Sequence, residues 1–205
     1  MSTHLLFVNG SLRGAGGNTH ALWEHVQTRL PPGVTTSALV LADYAGTVEE
    51  LVETLSRADA FLFASGVYWG SWGSPLQRFL EVLTAYELGP CFLGKPAAAA
   101  ISADSVGGLD VAQRLLGALG LMGCLVPPLS TIVLSRVGSS ATASDAAAND
   151  DVWQVDDLRV VLDNLVAAQA TRGITWSTWP VRSLPRITGP YPASGPLPAG
   201  LDRFL

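Results

Sequence analysis

HLLFVNGSLRGAGGNTHALWEHVQTRL, residues 4–30, decides how the chain folds. Residues 5–8 are an apolar run short enough for a buried strand. Residues 10–17 are rich in glycine, and beyond them Leu22, Trp23, Val26 and Leu30 recur on one face of a helix. Strand, glycine turn and helix in that order hold an anion. The first N–H groups of the helix lack internal partners and point back towards the strand end. Around that point the turn adds Ser11, Arg13, Asn18 and Thr19. Arg13 offers a forked donor to a phosphate, and the hydroxyls and the amide donate to its oxygens. Two better-known phosphate loops do not fit. The turn has no lysine, as GxxxxGK followed by Ser or Thr requires, and Gly14, Gly16 and Gly17 miss the GxGxxG spacing. The plainer alternative is a helix capped by Asn18 or Thr19 beside a solvated Arg13.

Working outward, Pro31, Pro32 and Gly33 break the helix, and residues 34–41 read as a strand. Thr47 with Glu50 three positions on is a capping-box signature, followed by Val48, Leu51, Val52 and Leu55 at helical spacing. Residues 60–64 are continuously apolar, as a central parallel strand requires. Ser74 as cap and Pro75 in the first turn start a helix with Leu76, Phe79, Leu80 and Leu83 as its buried stripe. Residues 97–102, nearly all alanine, form the next strand, which something approaches closely. A helix over 109–122 buries Val111, Leu115, Leu119 and Met122. Pro127 and Pro128 push the fifth strand to about residues 131–134 or make it an edge strand. Residues 138–151 read as a loop, and 152–170 as a last helix with Val155, Leu158, Leu162 and Leu165 inside. Five strands alternating with helices give an α/β fold in three layers, and right-handed crossovers make it a doubly wound parallel sheet.

From Thr171 onward the character changes. Six of the 13 prolines fall between Pro180 and Pro198, interleaved with Trp176, Trp179, Tyr191 and Phe204. The chain therefore divides into a domain over 1–170 and an extended tail over 171–205 that lies on the domain or on a neighbouring subunit. The length of 205 residues suits one core, and 48% hydrophobic against 14% charged residues means that most elements are buried on a side. A net charge of −5 without a basic cluster argues against nucleic acid. There is no leader and no long apolar span, so the expectation is a cytoplasmic protein with no membrane partner. Cys91 and Cys124 read as buried free thiols, compatible with a reducing cytosol. The three histidines fall early, with His20 and His25 on the wet face of the first helix, and make no metal constellation.

In an open parallel sheet, ligands bind at the carboxyl ends of the strands, where the strand order reverses. Three loops meet there. The first is the phosphate loop. The second offers Gly66, Val67, Tyr68, Trp69 and Gly70, with Trp72, for the edge and face of a flat ring. The third offers Ser102, Ser105, Gly107 and Gly108, small residues that leave backbone amides open. A mononucleotide with a planar ring system fits all three, and FMN is such a molecule. Interface packing for the aromatics and an ordinary helix start for the glycine pair are the competing readings.

The stretch GSLRGAGGNT, the run Gly66-Val67-Tyr68-Trp69-Gly70-Ser71 before a helix, and the glycine pair after the alanine strand occur in the order found in flavodoxin-like NAD(P)H-dependent FMN reductases. The chain resembles that family over roughly residues 4–135. It carries Gly66 where the family commonly has proline, extra glycines between Arg13 and Asn18, and the added tail. The resemblance implies strand order 2-1-3-4-5, bound FMN, NADH or NADPH as donor, a homodimer, and a small conjugated electron acceptor such as a flavin or quinone. The flavin carries the hydride, so no catalytic side chain is expected. The alternatives are an FMN-binding electron-transfer protein that does not oxidise NAD(P)H, and a flavin-free α/β binding protein.

Overall fold

The computed structural model describes residues 2–143, 152–180 and 185–197. Five strands, β1 (Thr3–Asn9), β2 (Val34–Val40), β3 (Ala60–Gly66), β4 (Ala97–Ala103) and β5 (Thr131–Ser135), form one parallel sheet in the order β2-β1-β3-β4-β5. The helices are α1 (Asn18–Arg29), α2 (Val48–Arg57), α3 (Ser74–Leu83), α4 (Gly108–Leu121), α5 (Arg136–Thr142) and α6 (Leu158–Ala167). The flavodoxin-like order places β1 and β3 at the centre, which is why their residues carry no polar alternation.

The pleat sorts side chains into two cores. Leu6, Val8, Phe61 and Phe63 face α2, α3 and α4, whereas Leu5, Phe7, Leu62 and Ala64 face α1 and α6. The alanines of β4 follow from this packing. Ala97 and Ala99 lie in register with Phe61 and Phe63, whose rings meet those of Phe92 and Phe79 at centroid separations of 5.9–6.0 Å. Small residues on β4 leave the room that this aromatic cluster fills. Helix α4 approaches the sheet equally closely: a Cβ on Gly108 would sit 2.3 Å from Val133 Cγ1. Gly108 is thus a packing position buried at the helix start, and it is not among the residues that line the cavity described below.

Local signals explain most boundaries. Helix α2 carries the expected capping box, with Thr47 Oγ1 accepting from the Glu50 amide and Glu50 Oε2 accepting from the Thr47 amide. Lys95 Nζ donates to the Leu55 and Ser56 carbonyls at its other end, where a cation also suits the helix dipole. Helix α3 departs from its reading. Gly73 is the cap, Ser74 is the first helical residue, and Val82 is fully buried where Leu80 is only partly so. A Cβ on Gly73 would meet the Gly10 carbonyl oxygen at 2.3 Å, so close approach of two loops, not hydroxyl capping, sets this start.

The region read as a loop over 138–151 is helical through Thr142, because Ser135 Oγ caps α5 by accepting from the Gly138 amide; residues 144–151 lie outside the described residues. The last helix is shorter than expected, with 3₁₀ turns flanking α6. His20 and His25 are half-buried, not on a wet face. Both cysteines are buried and free, and no metal-ligating cluster occurs among the described residues. No described helix is long and apolar enough to cross a membrane.

After the 3₁₀ turn that follows α6, the described chain forms no helix or strand. Residues 172–180 are exposed, Trp176 and Trp179 included. Ile187 and Tyr191 then enter the α2–α3 core, with the Tyr191 ring edge-on to Tyr44 at 5.4 Å. The Gly189 carbonyl accepts from the Val48 amide, the Tyr191 amide donates to the Gly46 carbonyl, and Arg78 donates to the Gly195 carbonyl. Phe204, Pro198 and residues 181–184 lie outside the described residues.

Candidate functional site

The carboxyl ends of β1, β3 and β4 open on a cavity of about 260 Å³. The first loop contributes Ser11, Arg13, Gly17, Asn18 and Thr19, the second Gly66, Val67 and Tyr68, and the third Ser102, Ala103 and Asp104. Two bonds across the site fix these loops to one another. Thr19 Oγ1 and Ser102 Oγ share a hydrogen bond of 2.9 Å, and the Leu12 amide donates to the Tyr68 hydroxyl at 3.1 Å.

The backbone amides of the first loop can be accounted for one by one. Ser11 N–H goes to Asn9 Oδ1, Leu12 N–H to Tyr68, Gly14 N–H to the Ser11 carbonyl, Ala15 N–H to Asp43, and Gly16 N–H to the Arg13 carbonyl. The amides of Arg13, Gly17, Asn18 and Thr19 bond to no other described residue, and all four residues line the cavity. No side chain caps the start of α1. Ser11 is 2% exposed, and its buried Oγ has no hydrogen-bond partner among the described residues. A buried hydroxyl without a partner, four open amides and the Arg13 guanidinium on a single cavity suit an acceptor-rich anion such as a phosphate. The FMN phosphate fits this donor set.

Not every expected residue lies here. Tyr68 to Ser71 form a two-residue reverse turn closed by hydrogen bonds in both directions, and Trp69 at φ +50 and Gly70 at φ +76 make its tip. Two positive φ values in succession turn the chain back sharply and carry the Trp69 ring into solvent, off the cavity. Arg114 on α4 donates to the Gly70 carbonyl and lies over the Trp72 ring, 5.5 Å from its centroid. Ser105 is exposed, with its carbonyl accepting from Ser135 Oγ at 2.9 Å. Gly107 adopts φ +86 ahead of α4 and is exposed outside the cavity.

Other residues at the site were not legible as such. Asn9 ends β1, and its fully buried side chain spans the loop, accepting from Ser11 N–H and donating to the Gly14 carbonyl at 3.0 Å each. Asp104 and Arg136 form a 2.6 Å ion pair at the rim. The hydrogen bond from Arg136, and then its charge, hold the Asp104 carboxyl below its usual range. Only the β4–β5 register brings these two together, 32 positions apart in sequence. Cavity size does not select the site: a hollow of about 450 Å³ lies beside Tyr191 and another of about 250 Å³ at the amino ends of the strands. Neither is lined by residues of the three loops at the carboxyl ends of β1, β3 and β4, apart from Leu12.

The sheet order and helical layers are those of a flavodoxin-like protein. Residues 3–138, which include all five strands, match the model of the NADPH-dependent FMN reductase family, and the chain belongs to that family. It is an NAD(P)H-dependent flavin oxidoreductase with FMN as its cofactor and NAD(P)H as electron donor. No curated protein sequence matches the chain. Among solved structures, RosB with a bound 8-demethyl-8-formylriboflavin-5'-phosphate intermediate is similar at 16% identity and TM-score 0.62, over 88% of this chain and 91% of RosB. The flavoenzyme FerB, an NAD(P)H:(acceptor) oxidoreductase from Paracoccus denitrificans, is similar at 17% identity and TM-score 0.62, over 81% of this chain and 98% of FerB. The NADH:FMN oxidoreductase EMOB is similar at 17% identity and TM-score 0.61, over 82% and 90%. At these identities the structural likenesses speak for the fold.

Proposed function

We propose that the protein transfers hydride from NADH or NADPH through FMN to a small conjugated acceptor such as a flavin or a quinone, with FMN held by the cavity of the three loops. The observation that carries this reading is the buried, unpartnered Ser11 hydroxyl beside the open amides of Arg13, Gly17, Asn18 and Thr19. In the proposed complex, Ser11, Arg13, Asn18 and Thr19 hold the phosphate, and charge-assisted donors make up most of its recognition. Gly66, Val67 and Tyr68 border the path towards the ring, with Trp69, Gly70, Ser105, Gly107 and Gly108 further out or beneath the loops. Bound FMN supplies the hydride-accepting centre, so the side chains bind and orient and none need serve as nucleophile or general base. RosB, which carries a riboflavin phosphate derivative on the same fold, supports the choice of ligand. FerB and EMOB support nicotinamide as donor.

The reading extends to a cytoplasmic homodimer with the exposed Trp69 near the subunit contact. Its domain covers residues 1–170, and the tail over 171–205 narrows the route to the flavin. The protein purified with FMN, mixed anaerobically with NADH or NADPH, tests the main claim: the blue-light absorbance that makes oxidised flavin yellow bleaches. Binding of FMN without bleaching would replace it with the electron-transfer reading. Protein that stays colourless after incubation with FMN would overturn both. Sedimentation equilibrium showing only the 21.5 kDa monomer at micromolar concentration would remove the dimer.

A further inference from the structure

The phosphate loop is shaped by a carboxylate that does not line the cavity. Asp43 ends the short turn after β2, on the edge of the sheet, and its Oδ2 accepts from the Ala15 amide at 3.0 Å. Gly14, next to it, stands at φ +52, and a Cβ there would lie 2.5 Å from Asp43 Oδ2. Both features press the middle of the loop against β2 and away from the cavity. Asn9 secures the same segment from below through the Gly14 carbonyl. The loop has more amides than a phosphate site uses, and these contacts consume those on its far side. The amides of Arg13, Gly17, Asn18 and Thr19 are left without a described partner, on residues that line the cavity.

We propose that Asp43 is a positioning residue for the cofactor phosphate: by holding the Ala15 amide it fixes which loop amides are presented to FMN. The inference rests on the proposed function and deepens it. A carboxylate placed near a dianion is unfavourable as a charge, so it is the acceptor geometry that gives Asp43 its role. Asparagine keeps that acceptor and drops the charge, whereas alanine drops both. The role is confined to the phosphate end of the ligand, which separates it from a general contribution to folding.

FMN and riboflavin, which differ by the phosphate, are titrated into apo-protein of the parent, Asp43→Ala and Asp43→Asn by quenching of flavin fluorescence. Asp43→Ala raises the FMN dissociation constant about tenfold, the loss of roughly one hydrogen bond to a charged group, and leaves the riboflavin constant unchanged. Asp43→Asn binds FMN as tightly as the parent or more tightly. Equal FMN constants for the parent and Asp43→Ala would overturn the inference. So would parallel losses for FMN and riboflavin, or an Asp43→Asn variant as weak as Asp43→Ala. Asp43 is exposed, and matching circular dichroism spectra establish that the variants are folded before titration. A parent protein that binds neither flavin would overturn the proposed function itself, a distinct result.

Discussion

Replacing Ser11 by alanine has opposite effects on the free and the FMN-bound protein. In the free protein the Ser11 hydroxyl is buried at 2% exposure and meets no partner. A buried polar group in that state costs about 1–3 kcal/mol, and alanine removes the group while keeping the backbone and most of the volume. The free variant is therefore as stable as the parent or more stable by about 1 kcal/mol, a rise in melting temperature of roughly 2–4 °C for a chain of this size. In the proposed complex the same hydroxyl donates to a charged phosphate, a bond of about 1.5–3 kcal/mol, so the FMN dissociation constant rises roughly tenfold to a hundredfold. Saturating FMN then raises the melting temperature less in the variant than in the parent. Differential scanning calorimetry with and without FMN, alongside a fluorescence titration, reads both quantities. A variant that melts lower when free, yet binds FMN as the parent does, would show that Ser11 is structural and that the phosphate lies elsewhere.

Three further outcomes follow from the same geometry. Arg13→Ala weakens FMN by about tenfold, at the low end for a charge-assisted contact because Arg13 is exposed, and the loss shrinks as salt is raised in the titration. Tyr191→Ala lowers stability by about 3 kcal/mol in urea unfolding, through lost core packing against Tyr44, whereas Tyr191→Phe costs nothing because the buried hydroxyl has no partner; truncation after Ala170 removes this anchor and Ile187 together, lowering stability while leaving the cavity lining intact. Above pH 9 the fold loses stability. Burial pushes the Cys124 thiol from 9.0 up to about 12, and burial likewise raises Tyr44 and Tyr86. The unfolded chain releases these protons first, so stability is full below the unfolded values and declines as pH rises through the folded ones. Urea midpoints at pH 7, 9 and 10.5 measure the decline, and Cys124→Ala makes it shallower.

The sequence by itself determined the layers and which loop residues share a cavity. Continuous apolar runs at residues 5–8 and 60–64 have no polar side to turn to water, so they belong in a sheet covered on both faces. Capping at Thr47, proline at the start of α3 and the glycine turn before α1 act within a few residues, where sequence alone carries the physics. Hence Ser11, Arg13, Asn18, Thr19, Gly66, Val67, Tyr68 and Ser102 were legible and do line one cavity.

Tertiary structure decided what depends on distance across the sheet. The lack of room beside Gly108 is set by how α4 settles on β5 against Val133, and it makes glycine a packing requirement there. Trp69 looked like a wall for a ring, but two successive positive φ values swing it into solvent. Gly107 and Ser105 are not among the residues that line the cavity. Asp43 and Arg136 carried no local signal, because each reaches the site through strand register, and Asn9 through the one side chain of β1 that curls over the loop. Hydrogen bonds between residues far apart in the chain are specified only once the strands are paired, and that pairing, not any motif, chooses which loop amides stay without a partner.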